Sequence, residues 1–149
     1  MRKFTVVFAL FAFAGTLMAA DQSAGTWKLD PSKSSGDGVP KDETMVIADK
    51  GDNLQVTITG TAADGTPIAV SYIVPVAGGT GQVSQGPYDS VSDSSSNGNS
   101  RDVTYGKNGH AVSKDHETIS GNGNTMTVTS QGKDAQGNPS KNTQVYTKQ

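Results

Sequence analysis

Residues 53–76 read NLQVTITGTAADGTPIAVSYIVPV. Leu54, Val56 and Ile58 alternate with Gln55, Thr57 and Thr59. Past the corner Ala63-Asp64-Gly65, the residues Ile68, Val70, Tyr72, Val74 and Val76 alternate with Ala69, Ser71, Ile73 and Pro75. Successive side chains of a strand point to opposite sides, so this period of two marks strands with one face toward a core. An Asp-Gly corner between two such runs makes a hairpin.

The same pattern extends outward. Val103 and Tyr105 flank Thr104, and Met126 and Val128 sit among Thr125, Thr127 and Thr129. Turn chemistry separates the runs at Asp49-Lys50-Gly51-Asp52, Lys107-Asn108-Gly109, Gly121-Asn122-Gly123-Asn124 and Ala135-Gln136-Gly137-Asn138. Each offers a Gly or Asn where the backbone must reach positive φ. No segment sustains the i, i+3, i+4, i+7 pattern of an amphipathic helix. The fold class expected is all-β: an antiparallel, mostly up-and-down β-barrel of eight to ten strands, fully closed or not, with little or no helix. Two stretches read as irregular loops, residues 30–40 (DPSKSSGDGVP) and 92–100 (SDSSSNGNS), the latter too polar to bury anything. Gly78-Gly79-Thr80-Gly81 opens no helix and lacks a P-loop lysine, so it reads as a bend where the sheet curls.

Residues 1–20 have the form of a secretory signal peptide. Arg2 and Lys3 precede a run from Phe4 to Ala14 that is apolar except for Thr5, and Ala19 and Ala20 offer small residues for cleavage. The expected product is one domain, residues 21–149, secreted or periplasmic. All four Phe lie in the leader, leaving 12 Val, 5 Ile, 2 Leu, one Trp and four Tyr for the domain. With so few large apolar side chains, hydrogen-bonded sheet must carry much of the stability. The domain has 10 basic and 14 acidic side chains, and Arg101 is its one arginine, which argues against nucleic acid and anionic membrane surfaces. Without cysteine there is no disulfide, thiolate metal site or lipid-modified N-terminal cysteine, so a soluble monomer without a membrane anchor is expected.

An internal repeat of 72 residues' offset aligns 47–67 with 119–139, where Ile, Gly, Val, Thr, Gly, Ala, Gly and Pro coincide. Two hairpin corners of one fold sharing the same turn requirements explain it more simply than a duplicated half-barrel with two equivalent sites.

The opening Gly25-Thr26-Trp27-Lys28-Leu29-Asp30 resembles the first lipocalin motif, in which a Trp plugs the closed end of a barrel, usually beneath an Arg from near the last strand. Here the closing segment, Thr143 to Lys148, has no Arg. The two ends of the domain, Gly25–Ser34 (GTWKLDPSKS) and Gly123–Gln149 (GNTMTVTSQGKDAQGNP through VYTKQ), resemble a group of small exported bacterial proteins described as lipocalin-like. That resemblance implies a fold and export, and brings no catalytic residues. Gly25 and Trp27 are the structural residues it implies.

The chemistry-bearing candidates are few. His110, Asp115, His116 and Glu117 are the one cluster of ligand-type side chains. On a regular strand the two His lie about 20 Å apart, so they cannot share an ion, and the cluster reads as a solvated charged face. Asp93-x-Ser95-x-Asn97-Gly98 echoes a calcium loop, but Thr104 stands where that loop needs a bidentate Glu. No metal or cofactor is expected. There is no Gly-x-Ser-x-Gly elbow, and no enzyme activity is expected. What remains is a ligand cavity: inward Val, Ile and Ala are small enough to leave a barrel partly empty. Its expected lining is Val70, Tyr72, Arg101, Val103 and Tyr105, with Arg101 at the mouth to meet a carboxylate. The function expected is non-catalytic binding of a small apolar or amphipathic molecule outside the cytoplasm. The alternative is a solid-cored structural or interaction protein of the cell envelope.

Overall fold

The computed structural model describes residues 21–95, 98–133 and 138–149. Among the described residues, twelve strands make one antiparallel sheet: β1 Gly25–Leu29, β2 Ser35–Gly36, β3 Asp42–Asp49, β4 Asn53–Thr61, β5 Pro67–Pro75, β6 Gly79–Thr80, β7 Gln82–Gln85, β8 Ser90–Ser95, β9 Ser100–Lys107, β10 His110–Ile119, β11 Thr125–Lys133 and β12 Pro139–Lys148. One turn of 3-10 helix, Pro31–Lys33, starts where Asp30 accepts from the Ser32 amide. The wall runs β6-β8-β9-β10-β11-β12-β1-β3-β4-β5-β7, and the two-residue β2 leans on β12. Most neighbours are sequential hairpins, as the turn signals imply; β12 pairing with β1 brings the chain ends together.

Closure happens at Gly81. The ends of the wall, β6 and β7, are one kinked segment on either side of this residue: Gly79 and Thr80 pair with β8, Gln82 to Gln85 with β5. The Gly81 amide donates to the Val91 carbonyl at 2.9 Å. A Cβ there would sit 2.2 Å from the Ile73 carbonyl oxygen and 2.6 Å from Val74 Cγ1, so only glycine allows the segment to cross the seam. Counted as one strand, it gives ten wall strands beside β2.

The alternating residues face as the sequence implies. Leu54, Val56 and Ile58 on β4 and Val70, Tyr72 and Val74 on β5 point inward and are buried. The 72-residue repeat coincides with two corners of the barrel. Ile47 and Ile119 are buried, as are Val56 and Val128, and Pro67 and Pro139 each open a strand. Gly60 and Gly132 sit where a Cβ would press to 2.2 and 2.7 Å of partner carbonyls. Shared corner geometry accounts for these matches.

Two expectations need correction. The stretch 92–100 is no simple loop: β8 runs through Ser95 and buries Asp93, because Val91 and Asp93 hold the inward positions while Ser92 and Ser94 face out. The echo of a calcium loop disappears with it, since Asp93 belongs to a strand. Residues 30–40 carry the 3-10 turn and β2, and bury Pro40. The corner at 135–138 lies, except for Asn138, outside the described residues.

Candidate functional site

The barrel is filled at one end and hollow at the other. Trp27, Leu54, Val74, Val91, Val103 and Met126, each 1% exposed or less, fill the first end. Trp27 donates its indole N–H to the Ser23 carbonyl at 2.7 Å, so residues just before β1 fold across the floor. Lys148 Nζ lies 5.0 Å from the centre of the Trp27 ring. It takes from β12 the place over the Trp that the resemblance gives to an Arg, a cation on the negative face of the ring. Gly25, at φ 141°, leaves room for that side chain: a Cβ would meet Lys148 Cε at 2.6 Å.

Beneath this plug lies a buried charge cluster. Arg101 Nη2 reaches Asp21 Oδ2 at 3.1 Å, and its Nε lies 3.3 Å from Asp93 Oδ2. The second contact is an ion pair off the line of a hydrogen bond, and both Asp93 oxygens are shielded from water without one. Glu117 is the cross-strand partner of Arg101 in the β9–β10 register and is equally buried. Three carboxyls thus surround one guanidinium. Burial outweighs the attraction of Arg101 and pushes Asp93 up to about 6 and Glu117 to about 8.

At the other end a cavity of about 660 Å³ opens between the strands. Met45 on β3, Ile58 on β4 and Ile68 and Val70 on β5 make one apolar wall. The facing wall is mostly polar: Ser113 and Asp115 on β10, Ser130 on β11, and Asn142, Gln144 and Tyr146 on β12. Tyr88 stacks on Tyr105 at 4.6 Å between ring centres, and both line the space. The cavity is therefore amphipathic across its width, where small inward Val, Ile and Ala had suggested an apolar one.

Its carboxyls are held in place. Tyr146 and Glu43 share a 2.5 Å hydrogen bond, and the Tyr146 oxygen lies 3.0 Å from the Gln144 side-chain amide. The one Tyr146 proton serves one of the two acceptors at a time: Glu43 when that acid is ionised, or Gln144 Oε1 when Glu43 is protonated and itself donates to Tyr146. Ser113 Oγ donates to Asp115 at 3.4 Å, and Ser130 bonds it from across the β10–β11 pair. Burial raises both acids, Asp115 to about 6.

The expected ligand contacts separate. Val70 and Tyr105 line the cavity. Tyr72 packs edge-on against Tyr105, their hydroxyls 3.1 Å apart, and Val103 lies in the filled half. Arg101 shares an inward face with Val103 and Tyr105 but stands at the filled end with Asp21, away from the mouth. Asp115 and Glu117 are the residues that sequence reasoning misplaced: they face the interior. The two His of that cluster, His110 and His116, are exposed, and His116 Nδ1 lies 2.6 Å from Asp102. Alternation put Asp115 and Glu117 on one face, but a bulge between Ala111 and Ser113 shifts the register of β10 against β9. Their phase matches inward Ile119, a signal available in the sequence.

No protein-family model matches the chain, and no curated protein matches it. Solved structures do. Zebrafish ileal bile acid-binding protein complexed with cholic acid is similar at 17% identity and a TM-score of 0.53, over 86% of this chain and 99% of that one. A redesigned β-barrel, mFAP1, bound to DFHBI is similar at 16% identity and a TM-score of 0.49, over 87% and 98%. At 17% identity the likeness to the bile acid-binding protein shows the barrel fold alone.

Proposed function

We propose that the domain is an exported, non-catalytic binding protein that holds a small amphipathic molecule in the open half of its barrel. The observation that carries this reading is the cavity itself. Its volume of about 660 Å³ falls within the range of small-molecule sites, and one wall is apolar while the other offers fixed polar groups. That a similar barrel, the zebrafish ileal bile acid-binding protein, is complexed with cholic acid agrees with it. The solid-cored alternative requires a filled interior, and only the Trp27 half is filled. Export rests on the leader, with cleavage after Ala19 or Ala20; Asp21, just beyond it, pairs with Arg101.

The test is titration of residues 21–149 with an environment-sensitive apolar fluorophore. Saturable binding is expected, and Ile68→Trp, which projects an indole into the cavity, should abolish it without loss of folding. Absence of binding, or binding indifferent to Ile68→Trp, refutes the reading. Expression of the full chain in a bacterium, with N-terminal sequencing of the exported product, tests the leader.

A further inference from the structure

The polarity of the cavity selects among amphipathic ligands. Among its described charged lining residues, acids outnumber cations: Asp37, Glu43 and Asp115 against Lys133. Glu43 on β3 and Asp115 on β10 stand at corresponding positions of the 72-residue offset and line the same space from opposite sides of the barrel. Asn142 lines the space as well; its Oδ1 has no hydrogen-bond partner among the described residues, but is shielded from water, so a donor in the cavity reaches it only when the side chain turns. Its nitrogen is already used, donating to the Asp37 carbonyl at 2.9 Å. Among the described lining residues the one cation is Lys133, exposed at the end of β11. Arg101 is held at the filled end by Asp21 and Asp93.

A carboxylate ligand entering this space would meet Glu43 and Asp115, besides the exposed Asp37, and among the described residues no interior counter-charge. A group with several N–H donors and a positive charge meets what it needs. Burial already presses both acids toward their neutral forms, and the charge of Asp115 presses Glu43 further. A cation between them relieves both effects.

We propose that the cavity takes an amphipathic organic cation, an ammonium or guanidinium group on an apolar body. The charged group sits among Glu43, Asp115 and Asn142, and the body lies against Ile58, Ile68 and Val70. This rests on the binding function proposed above and sharpens it to a ligand class.

The experiment uses three ligands with one chain length and different head groups: decylammonium, decanoate and decanol, titrated into residues 21–149 by calorimetry near neutral pH. Decylammonium is expected to bind at least about tenfold more tightly than decanoate, with decanol between them. Asp115→Asn and Glu43→Gln, close in shape to the parent residues, should each cut decylammonium affinity by about tenfold and leave decanol unchanged. Circular dichroism and thermal unfolding confirm that the variants fold. Decanoate binding as well as decylammonium overturns the proposal, as does a preference that survives both substitutions. If the apolar fluorophore and decanol bind but no head group is preferred, the binding function stands and the cation proposal falls. If none of the four binds, both fall.

Discussion

The guanidinium of Arg101 and the carboxylate of Asp21, 80 residues apart in the chain, meet at 3.1 Å beneath the filled end of the barrel. The contact ties the segment ahead of β1 to β9 on another part of the wall. It also commits the domain's one arginine to structure, and among the described residues the hollow end has no interior cation.

Removing that arginine should therefore cost stability and spare binding. Arg101→Met leaves Asp93 buried without its counter-charge and releases Asp21, a loss of about 3–5 kcal/mol. Urea unfolding followed by Trp27 emission measures it. The double variant Arg101→Met/Asp93→Asn should recover part of the loss, because the uncompensated charge is gone. Fluorophore affinity should match the parent; a large change would mean that Arg101 reaches the ligand.

Stability should fall as pH rises from mildly acidic to mildly alkaline. Glu117 is pushed by burial from its ordinary 4.5 to about 8, so the folded chain keeps a proton that the unfolded chain releases. Between those values the folded state binds more protons, and each increment of pH favours unfolding. Asp93 and Asp115, raised to about 6, act the same way over the lower part of the window. The urea midpoint should decline across this range. Glu117→Gln should flatten the upper part and exceed the parent at the alkaline end. A midpoint that climbs with pH would contradict this.

Gly81→Ala tests the seam. Its Cβ would collide with the Ile73 carbonyl and Val74, forcing β6–β7 away from β5 or β8. Overpacking of this kind costs about 1–3 kcal/mol. Hydrogen exchange should quicken in β5, β7 and β8 while β11 and β12 keep their protection. Uniform loss of protection would show that the seam does not open separately.

Trp27, fully buried and bonded to Ser23, should emit at short wavelength and resist quenching by acrylamide. Trp27→Ala should cost about 3–5 kcal/mol by emptying the plug. Lys148→Met should cost no more than about 1 kcal/mol, the worth of a cation over a ring near the surface. Thermal denaturation of both variants gives the comparison.

Residues 53–76 determined the fold class by themselves, because a period of two and an Asp-Gly corner are local properties of backbone and side-chain direction. The inward set followed from them: Leu54, Val56, Ile58, Val70, Tyr72 and Val74 are where alternation puts them. The inward phase of Asp115, Glu117 and Arg101 was legible too, but not its consequence. Which end of the barrel a residue occupies depends on strand tilt, on register and on where Gly81 lets the wall close, none of which is local. Those relationships put Arg101 beside Asp21 and turned a supposed charged surface into the interior. They gathered Glu43 and Asp115 around a single space. The tertiary structure also decided the question that a Phe-free domain leaves open, filling one half with Trp27 and its neighbours and leaving the other hollow.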